Sequence, residues 1–220
     1  YRGAGRQHGV FVIERLLDIA AKKLKIDRAE IRRRNFIQPT QFPYNNEIIY
    51  QDFAPIVYDS GNYEPLLDDA LEKIGYHKFI SETQPKLRAE GKHVGIGIVA
   101  YVEGTGIGPY EGAKVQVMGS GRVSVVTGVG TQGQGHFTSF AQIVAEQLGV
   151  DVDQIDVVTG DTDQFYWGAG TFASRGAVVA GNAINEAAKV VRKKILKLAS
   201  EHFNAPEDEL ELADGMVKVQ

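Results

Sequence analysis

A run of glycines and neutral polar residues between 127 and 138, TGVGTQGQGHFT, constrains the fold of this chain more than any other feature. An apolar, β-branched segment with Val123, Val125 and Val126 precedes it, and an amphipathic segment from Phe137 to Leu148 follows it. This order predicts a strand, a glycine loop and a helix. Glycine has no Cβ atom, so such a loop reaches left-handed backbone angles and lets a ligand approach the main chain closely. The first N–H groups of the helix favour an anion, so the loop is expected to hold a phosphate-bearing cofactor.

A second loop of the same character, GDTDQFYWGAGTFASRGA, follows another apolar segment and precedes a long helix. Both apolar segments end in VVTG, at 125–128 and 157–160. A strand–helix–strand crossover makes such strands parallel if they share a sheet, and places both loops at one edge of it. A repeat of only four residues can equally well arise by chance as from a real structural repeat. Ser174 and Arg175 offer a phosphate a hydroxyl and a bidentate cation; the alternative for this pair is a helix cap beside a solvated arginine.

The chain opens on a third glycine loop, YRGAGR, which leads into a predicted helix. Gly3 and Ala4 are included among the predicted cofactor contacts, because the glycines imply a tightly placed backbone. Any one of the three loops, taken alone, is also compatible with an ordinary tight turn. One stripe of the helix is expected to face a core, since its apolar residues lie at helical spacing: Val10, Ile13, Leu17, Ala20 or Ala21, and Leu24. Because the chain starts at Tyr1 within what looks like a motif, it is expected to be a piece of a longer protein.

Composition and charge exclude several classes of protein. A net charge of −4 argues against nucleic-acid binding, which needs a basic face. The absence of cysteine excludes disulfides, thiolate zinc sites and a cysteine-bound iron–sulfur cluster in this chain. The five histidines are scattered, so no metal site is predicted. No membrane-length apolar run or signal peptide is visible, and a cytoplasmic setting is expected.

The familiar nucleotide motifs do not fit either glycine loop. A P-loop, GxxxxGK[ST], is absent. GTQGQG has some likeness to the dinucleotide motif GxGxxG, but no acidic residue follows at the required distance. Asp161 and Asp163 are catalytic candidates whose alternative is turn formation, which the sequence favours. An NAD-type domain is therefore disfavoured.

The chain as a whole is predicted to have an α+β fold, with sheets covered on one side by helices. The amino-acid composition changes near residue 92, so 1–91 is expected to belong to one cofactor-binding subdomain and 92–220 to form a second. Within the second, a strand is predicted from Val94 to Glu103, a hairpin around Gly119 to Gly121, and a terminal hairpin at Asp214-Gly215.

Several longer motifs run through nearly the whole chain: YRGAGR, RRRNFIQPTQFPY, VYDSGNYEPLLDDAL, GPYEGAKVQV, GTQGQGHFTSFAQIVAEQLGV, VVTGDTD and GTFASRGAVVAGNA. Together they resemble the molybdenum-cofactor-binding large subunit of the molybdenum hydroxylases, in the branch of aerobic carbon monoxide dehydrogenase. The resemblance implies a molybdopterin cofactor with molybdenum, as the cytosine dinucleotide in the bacterial branch. It implies a reaction in which an electrophilic carbon of an aldehyde, an N-heterocycle or a similar small substrate is hydroxylated with water as oxygen source.

The resemblance also implies site residues and partners. Cofactor binding is implied for the residues of a Gln-Gly-Gln-Gly-His loop and a Gly-Thr-x-x-Ser-Arg loop, which are Gln132, Gly133, Gln134, Gly135, His136, Thr138, Gly170, Thr171, Ser174 and Arg175. Arg2 matches an arginine beside the substrate in the xanthine and aldehyde branches. The implied partners are the remainder of the large subunit, an FAD-binding medium subunit and a small subunit with 2Fe-2S clusters, in a dimer of heterotrimers.

Two departures from the family pattern limit what the resemblance implies. Gly3 follows Arg2 where carbon monoxide dehydrogenases have a copper-holding cysteine, so oxidation of carbon monoxide is not expected. The family's glutamate base and a glutamine near molybdenum lie in motifs that this chain does not contain, so the chain alone is not expected to turn over. The competing hypothesis is a non-catalytic binding or scaffold domain that keeps the fold without the cofactor.

Overall fold

In the computed structural model, which describes residues 3–50 and 53–219, the chain forms two units divided between Glu103 and Gly104. Residues 94–103 belong to the first unit, because Ile96 and Ile98 pack on its core. The domain limits 1–91 and 92–220 stay predictions about the complete protein. The described part of the chain has no helix long and apolar enough to cross a membrane.

The first unit combines helices with one small antiparallel sheet. Its elements are α1 (Arg6–Leu24), α2 (Arg28–Arg33), β1 (Tyr44–Ile49), β2 (Pro55–Tyr58), α3 (Glu64–Lys73), α4 (Tyr76–Lys78) and α5 (Gln84–Ala89). A π-helical turn at 79–83 joins α4 to α5. The core is small and consists mainly of Ala29, Leu67, Leu71 and Tyr76. Asp27 fixes the start of α2, since its carboxylate accepts the N–H groups of Ala29 and Glu30 at 2.7 and 3.2 Å.

The inward face of α1 differs from the predicted apolar stripe. Ala21 is buried as predicted, but Ile13 and Leu24 are 61% and 62% exposed, and the acidic Glu14 is buried. The reason is Arg32, which is buried under α1 and donates to Glu14 at 2.7 Å and to Asp18 at 3.0 Å. A buried guanidinium needs counter-charges, and this requirement turns the acidic side of α1 inward.

The second unit is built on a three-stranded sheet with two long helices. Its elements are β3 (Ala113–Val117), β4 (Val123–Thr127), α6 (His136–Leu148), β5 (Ile155–Thr159), α7 (Asn182–Phe203), β6 (Leu210–Ala213) and β7 (Met216–Val219). The sheet order is β3-β4-β5, with β3 antiparallel and β5 parallel to β4. A π-helical turn at 176–181 leads into α7.

The core of the second unit lies on one face of this sheet. Val115, Val125 and Val157 are neighbours across the three strands, and all pack toward the helices. Phe140 and Val144 of α6 meet them, together with residues from the start of α7. The predicted α+β fold is confirmed, as are both hairpins, β3–β4 and β6–β7. The strand predicted at 94–103 is wrong, because that segment has no ladder partner among the described residues.

Candidate cofactor-binding site

Three loop segments reach the same edge of the β3-β4-β5 sheet. Ala113, which begins β3, is paired with Thr127 at the end of β4, and Thr127 is paired with Thr159 at the end of β5. The segment 104–112, the loop 128–135 (the glycine loop) and the loop 160–175 (the second loop) therefore all start or end at this edge. The expected parallel pairing of the two VVTG strands is confirmed.

The glycine loop and the second loop touch main chain to main chain. A Cβ atom on Gly128 would lie 1.9 Å from the Trp167 carbonyl oxygen, and one on Gly168 would lie 2.5 Å from the Gly128 oxygen. Only glycine permits this approach from both sides. A hydrogen bond from Thr171 Oγ1 to the Gly130 carbonyl adds a second link. The two loops thus form one continuous surface.

The glycine loop leaves main-chain donors available at the start of α6. Gly133 and Gly135 have φ angles of 101° and 79°, and α6 begins at His136 without a side-chain cap. Gln134 bends back, so that its Oε1 accepts the Gln132 N–H at 2.6 Å. Within the described residues, the N–H groups of Gly133, Gln134, Gly135 and His136 have no intramolecular acceptor. Such N–H groups, with the positive end of the helix dipole behind them, suit an anion.

The loops themselves carry no free cation. Between Gly128 and Ser174 the sequence contains neither lysine nor arginine. Gln132, Gln134 and Thr138 are exposed and offer neutral polar groups. An anion at this surface would therefore be held mainly by main-chain N–H groups and neutral side chains.

His136, the first residue of α6, packs inward between Phe140 and the π-helical turn at 176–181 rather than projecting from the glycine loop. It is buried, its ring stacks on Phe140 with centroids 4.9 Å apart, and a Cβ atom on Gly176 would lie 2.5 Å from its Nε2. Burial lowers the pKa of His136 below its usual value near 6.5. Its Nδ1 is buried and has no partner within the described chain. Burial therefore favours the neutral form of the imidazole.

The second loop has an unusual backbone near its end. Gly170 has a φ of 106°, and the non-glycine residues Ala173 and Ser174 have φ angles of 47° and 52°. Left-handed angles in consecutive non-glycine residues are costly and persist only where the surroundings impose them. Arg175, whose side chain is fully buried, supplies part of that constraint, since its Nη1 donates to the Gly170 carbonyl at 2.8 Å.

The structure places most of the predicted cofactor contacts in the two loops and the first turn of α6, where His136 and Arg175 are buried. Gly3 and Ala4 belong to the first unit, where they precede α1 with φ angles of 76° and 47°. Gly5 caps α1 with a left-handed φ of 91° and no side-chain bond, as Gly135 caps α6. Arg2 lies outside the described residues. The described chain contains no cluster of three or more histidine, aspartate or glutamate side chains placed to hold a metal ion.

Sequence reasoning assigned no role to Glu111, although this residue lies in the GPYEG motif. Its side chain is fully buried beside Arg175 at the same edge of the sheet. The available signal was an acidic residue between glycines immediately before a strand, where an exposed turn residue would be the ordinary expectation.

Comparison with known proteins assigns the chain to a family. The sequence model of a molybdopterin cofactor-binding domain matches residues 69–220, which is well over half of the chain, and a second model of the same description matches residues 1–36. The chain belongs to the molybdopterin cofactor-binding domain family. The membership predicted from the loop motifs is confirmed.

The relatives of this chain are larger proteins. It is 37% identical, over its whole length, to 28% of the 6-hydroxypseudooxynicotine dehydrogenase complex subunit gamma of Paenarthrobacter nicotinovorans. It is 35% identical, over 96% of its length, to 27% of the carbon monoxide dehydrogenase large chain of Hydrogenophaga pseudoflava. The chain thus spans just over a quarter of the relatives it matches.

Solved structures agree with the fold. The quinoline 2-oxidoreductase from Pseudomonas putida 86 matches the whole chain with a TM-score of 0.88 and 33% identity, over 28% of its own chain. A copper- and molybdenum-containing carbon monoxide dehydrogenase matches with a TM-score of 0.83 and 33% identity, over 29% of its chain. The similarity expected to the carbon monoxide dehydrogenase branch is confirmed.

Proposed function

We propose that this chain forms part of the molybdopterin cytosine dinucleotide site of a molybdenum hydroxylase-type oxidoreductase. The observation that carries the proposal is the surface of the glycine loop and the second loop, which share a main-chain contact at Gly128 and Gly168 and present unpaired N–H groups beside the start of α6. A surface of that kind suits the phosphates of a dinucleotide, because backbone donors at a helix start bind phosphate without a cationic side chain.

The residues present fit such a group. The N–H groups of Gly133, Gln134 and Gly135 would hold phosphate oxygens, and a Cβ atom on either glycine would enter open space on the ligand side. The exposed side chains of Gln132 and Thr138 would orient a polar ring edge. His136, whose pKa is lowered by burial, would keep the loop in place through its packing on Phe140. When bound, the molybdenum cofactor supplies the redox chemistry that hydroxylates a carbon with oxygen from water.

The reaction and the partners form the remainder of the proposal. A small N-heterocycle or an aldehyde is the proposed class of substrate, supported by the similarity to nicotine 6-hydroxylase large subunit and quinoline 2-oxidoreductase. FAD and 2Fe-2S centres on medium and small subunits would carry the electrons away, in a cytoplasmic dimer of heterotrimers. Arg2 is proposed to lie on the substrate side, with Gly3 in place of a copper-holding cysteine.

The proposal is tested on the complete subunit assembly, by measuring molybdenum and the nucleotide released by acid. The variant Gly133→Ala/Gly135→Ala forces side chains onto positions with φ angles of 101° and 79°, so bound nucleotide and molybdenum should be largely lost. The matched control is Gly119→Ala in the turn between β3 and β4, at the opposite edge of the sheet, where a Cβ atom meets nothing within 4 Å. A wild-type assembly without nucleotide would support the scaffold alternative, and full molybdenum in the loop variant would contradict the assigned site.

A further inference from the structure

Glu111 and Arg175 form a fully buried ion pair at the edge of the sheet that carries both loops. Both side chains are 0% exposed, and Arg175 Nη1 donates to Glu111 Oε1. The same carboxylate oxygen accepts the N–H groups of Ala169 and Gly170 at 3.1 and 3.2 Å. One oxygen atom thus receives three donors, two of which are main-chain groups of the second loop.

The remaining donors of Arg175 are also engaged inside the protein. Nε donates to the Ile107 carbonyl at 3.2 Å, Nη2 donates to the Pro109 carbonyl, and Nη1 donates to the Gly170 carbonyl at 2.8 Å. The ring of Phe172 covers the guanidinium at 4.8 Å. The pair therefore ties the segment 107–111 to the second loop on both sides of Gly170.

This arrangement leaves Arg175 unable to act as a simple phosphate cation. Its charge is balanced by Glu111, and four of the hydrogen bonds that a guanidinium can donate go to groups of the protein. Both main-chain polar groups of Gly170 are engaged in the same network. Stability alone is a weak explanation, because a buried ion pair contributes no more stability than well-packed apolar residues in many proteins. A planar, multidentate group is instead suited to fixing several backbone groups in one geometry.

We propose that Glu111 and Arg175 are positioning residues that impose the shape of the second loop, and through it the surface on which the cofactor binds. The inference rests on the proposed function. Ala173 and Ser174 have left-handed backbone angles between Gly170 and Arg175, so the network on either side of them holds an otherwise unfavourable turn. Without it, the loop would relax and withdraw Thr171 from the glycine loop, to which it is bonded at Gly130.

Two substitutions at Glu111 separate positioning from stability. Glu111→Gln and Glu111→Ala both remove the counter-charge of a buried arginine, so both should lower the melting temperature of the complete assembly. Only glutamine keeps an acceptor for the N–H groups of Ala169 and Gly170. Its amide nitrogen takes the place of Oε2, which has no partner among the described residues, so no existing bond is broken there.

The experiment follows release of the dinucleotide from the purified assembly after dilution. Glu111→Ala should release it about 10- to 100-fold faster than wild type, and Glu111→Gln should restore most of that loss. Arg122→Gln is the control, since it breaks an exposed ion pair with Asp156, which lies at the start of β5, away from the loop edge. Equal release from both Glu111 variants at matched thermal stability would overturn the positioning role.

Arg175→Lys covers the case in which Glu111→Ala fails to assemble. Lysine keeps the charge opposite Glu111 but cannot reach the carbonyls of Ile107, Pro109 and Gly170 together. Nucleotide release should again be faster, at a smaller cost in thermal stability, and release at the wild-type rate would contradict the inference. A wild-type assembly that holds no nucleotide refutes the proposed function instead, so the two failures are distinguishable.

Discussion

Replacing Gly128 by alanine tests whether the glycine loop and the second loop form one surface. The new Cβ atom would lie 1.9 Å from the Trp167 carbonyl oxygen and 2.5 Å from the Cα atom of Gly168. Ordinary contact begins at 3.4 Å, so the two backbones must separate by about 1.5 Å. All the nearest atoms belong to the main chain, so no flexible side chain can move aside to relieve the clash. The main chain of one loop has to shift.

The expected magnitude follows from the cost of overpacking, which is about 1–3 kcal/mol for a crowded interior. With a typical dependence on urea, this loss lowers the midpoint of unfolding by about 1 M. Gly130→Ala is the matched control in the same loop, because its Cβ atom meets nothing within 4 Å and its φ is not positive. Its free energy of unfolding should remain within about 0.5 kcal/mol of wild type.

The assay is urea unfolding followed by tryptophan fluorescence. The sequence contains a single tryptophan, Trp167, which lies in the contact itself and stacks on Tyr110 with centroids 5.1 Å apart. Gly128→Ala should change the emission of the folded state as well as the midpoint, whereas Gly130→Ala should change neither. Identical midpoints and spectra for the two variants would refute the main-chain contact on which the shared surface depends.

Two further predictions concern buried ionisable groups. Because burial lowers the pKa of His136 from its usual value near 6.5, the unfolded chain binds more protons than the folded chain at a pH near or below that value. The free energy of unfolding should therefore fall as the pH drops from about 7.5 to 5.5. His136→Phe should flatten this pH dependence of the urea midpoint. Arg32→Leu leaves Glu14, whose side chain is 7% exposed, without its counter-charge, so the free energy of unfolding should fall by about 3–5 kcal/mol. The double variant Arg32→Leu/Glu14→Met should recover much of the loss in the same urea assay, and an additive loss would contradict the pairing.

The arrangement of the second unit was predictable because its signals are local. Val125 and Val157 lie in short apolar runs that end in the same four letters, and a run of helical period separates them. Their parallel orientation follows from the strand–helix–strand order, once the two strands share a sheet. The glycines at 133 and 135 likewise marked left-handed positions before a helix, and both have positive φ angles. Patterns of this kind need no knowledge of distant residues.

The features that sequence reasoning missed depend on distant partners. A carboxylate such as Glu111 is most often exposed, and only the meeting of residues 64 positions apart in the sequence shows that it is buried against Arg175. Glu14 is inward-facing for the same reason, since Arg32 lies beneath it. The segment 94–103 has the composition of a strand, but a strand needs a neighbour to pair with, and the described chain provides none.

The buried ion pair also explains how a surface without free cations can suit a phosphate group. Residues 128–175 contain no lysine and a single arginine, Arg175, whose charge is balanced by Glu111. In the proposed site, attraction of a phosphate toward the loops would therefore come from N–H dipoles with fixed directions, and not from a mobile positive charge. Fixed dipoles act over a short range and bind most strongly a ligand whose oxygen atoms match their geometry. In a chain with a net charge of −4, this design disfavours unselective binding of polyanions and makes recognition depend on the shape of the two loops. Shape, in turn, depends on the contact at Gly128 and on the network around Glu111.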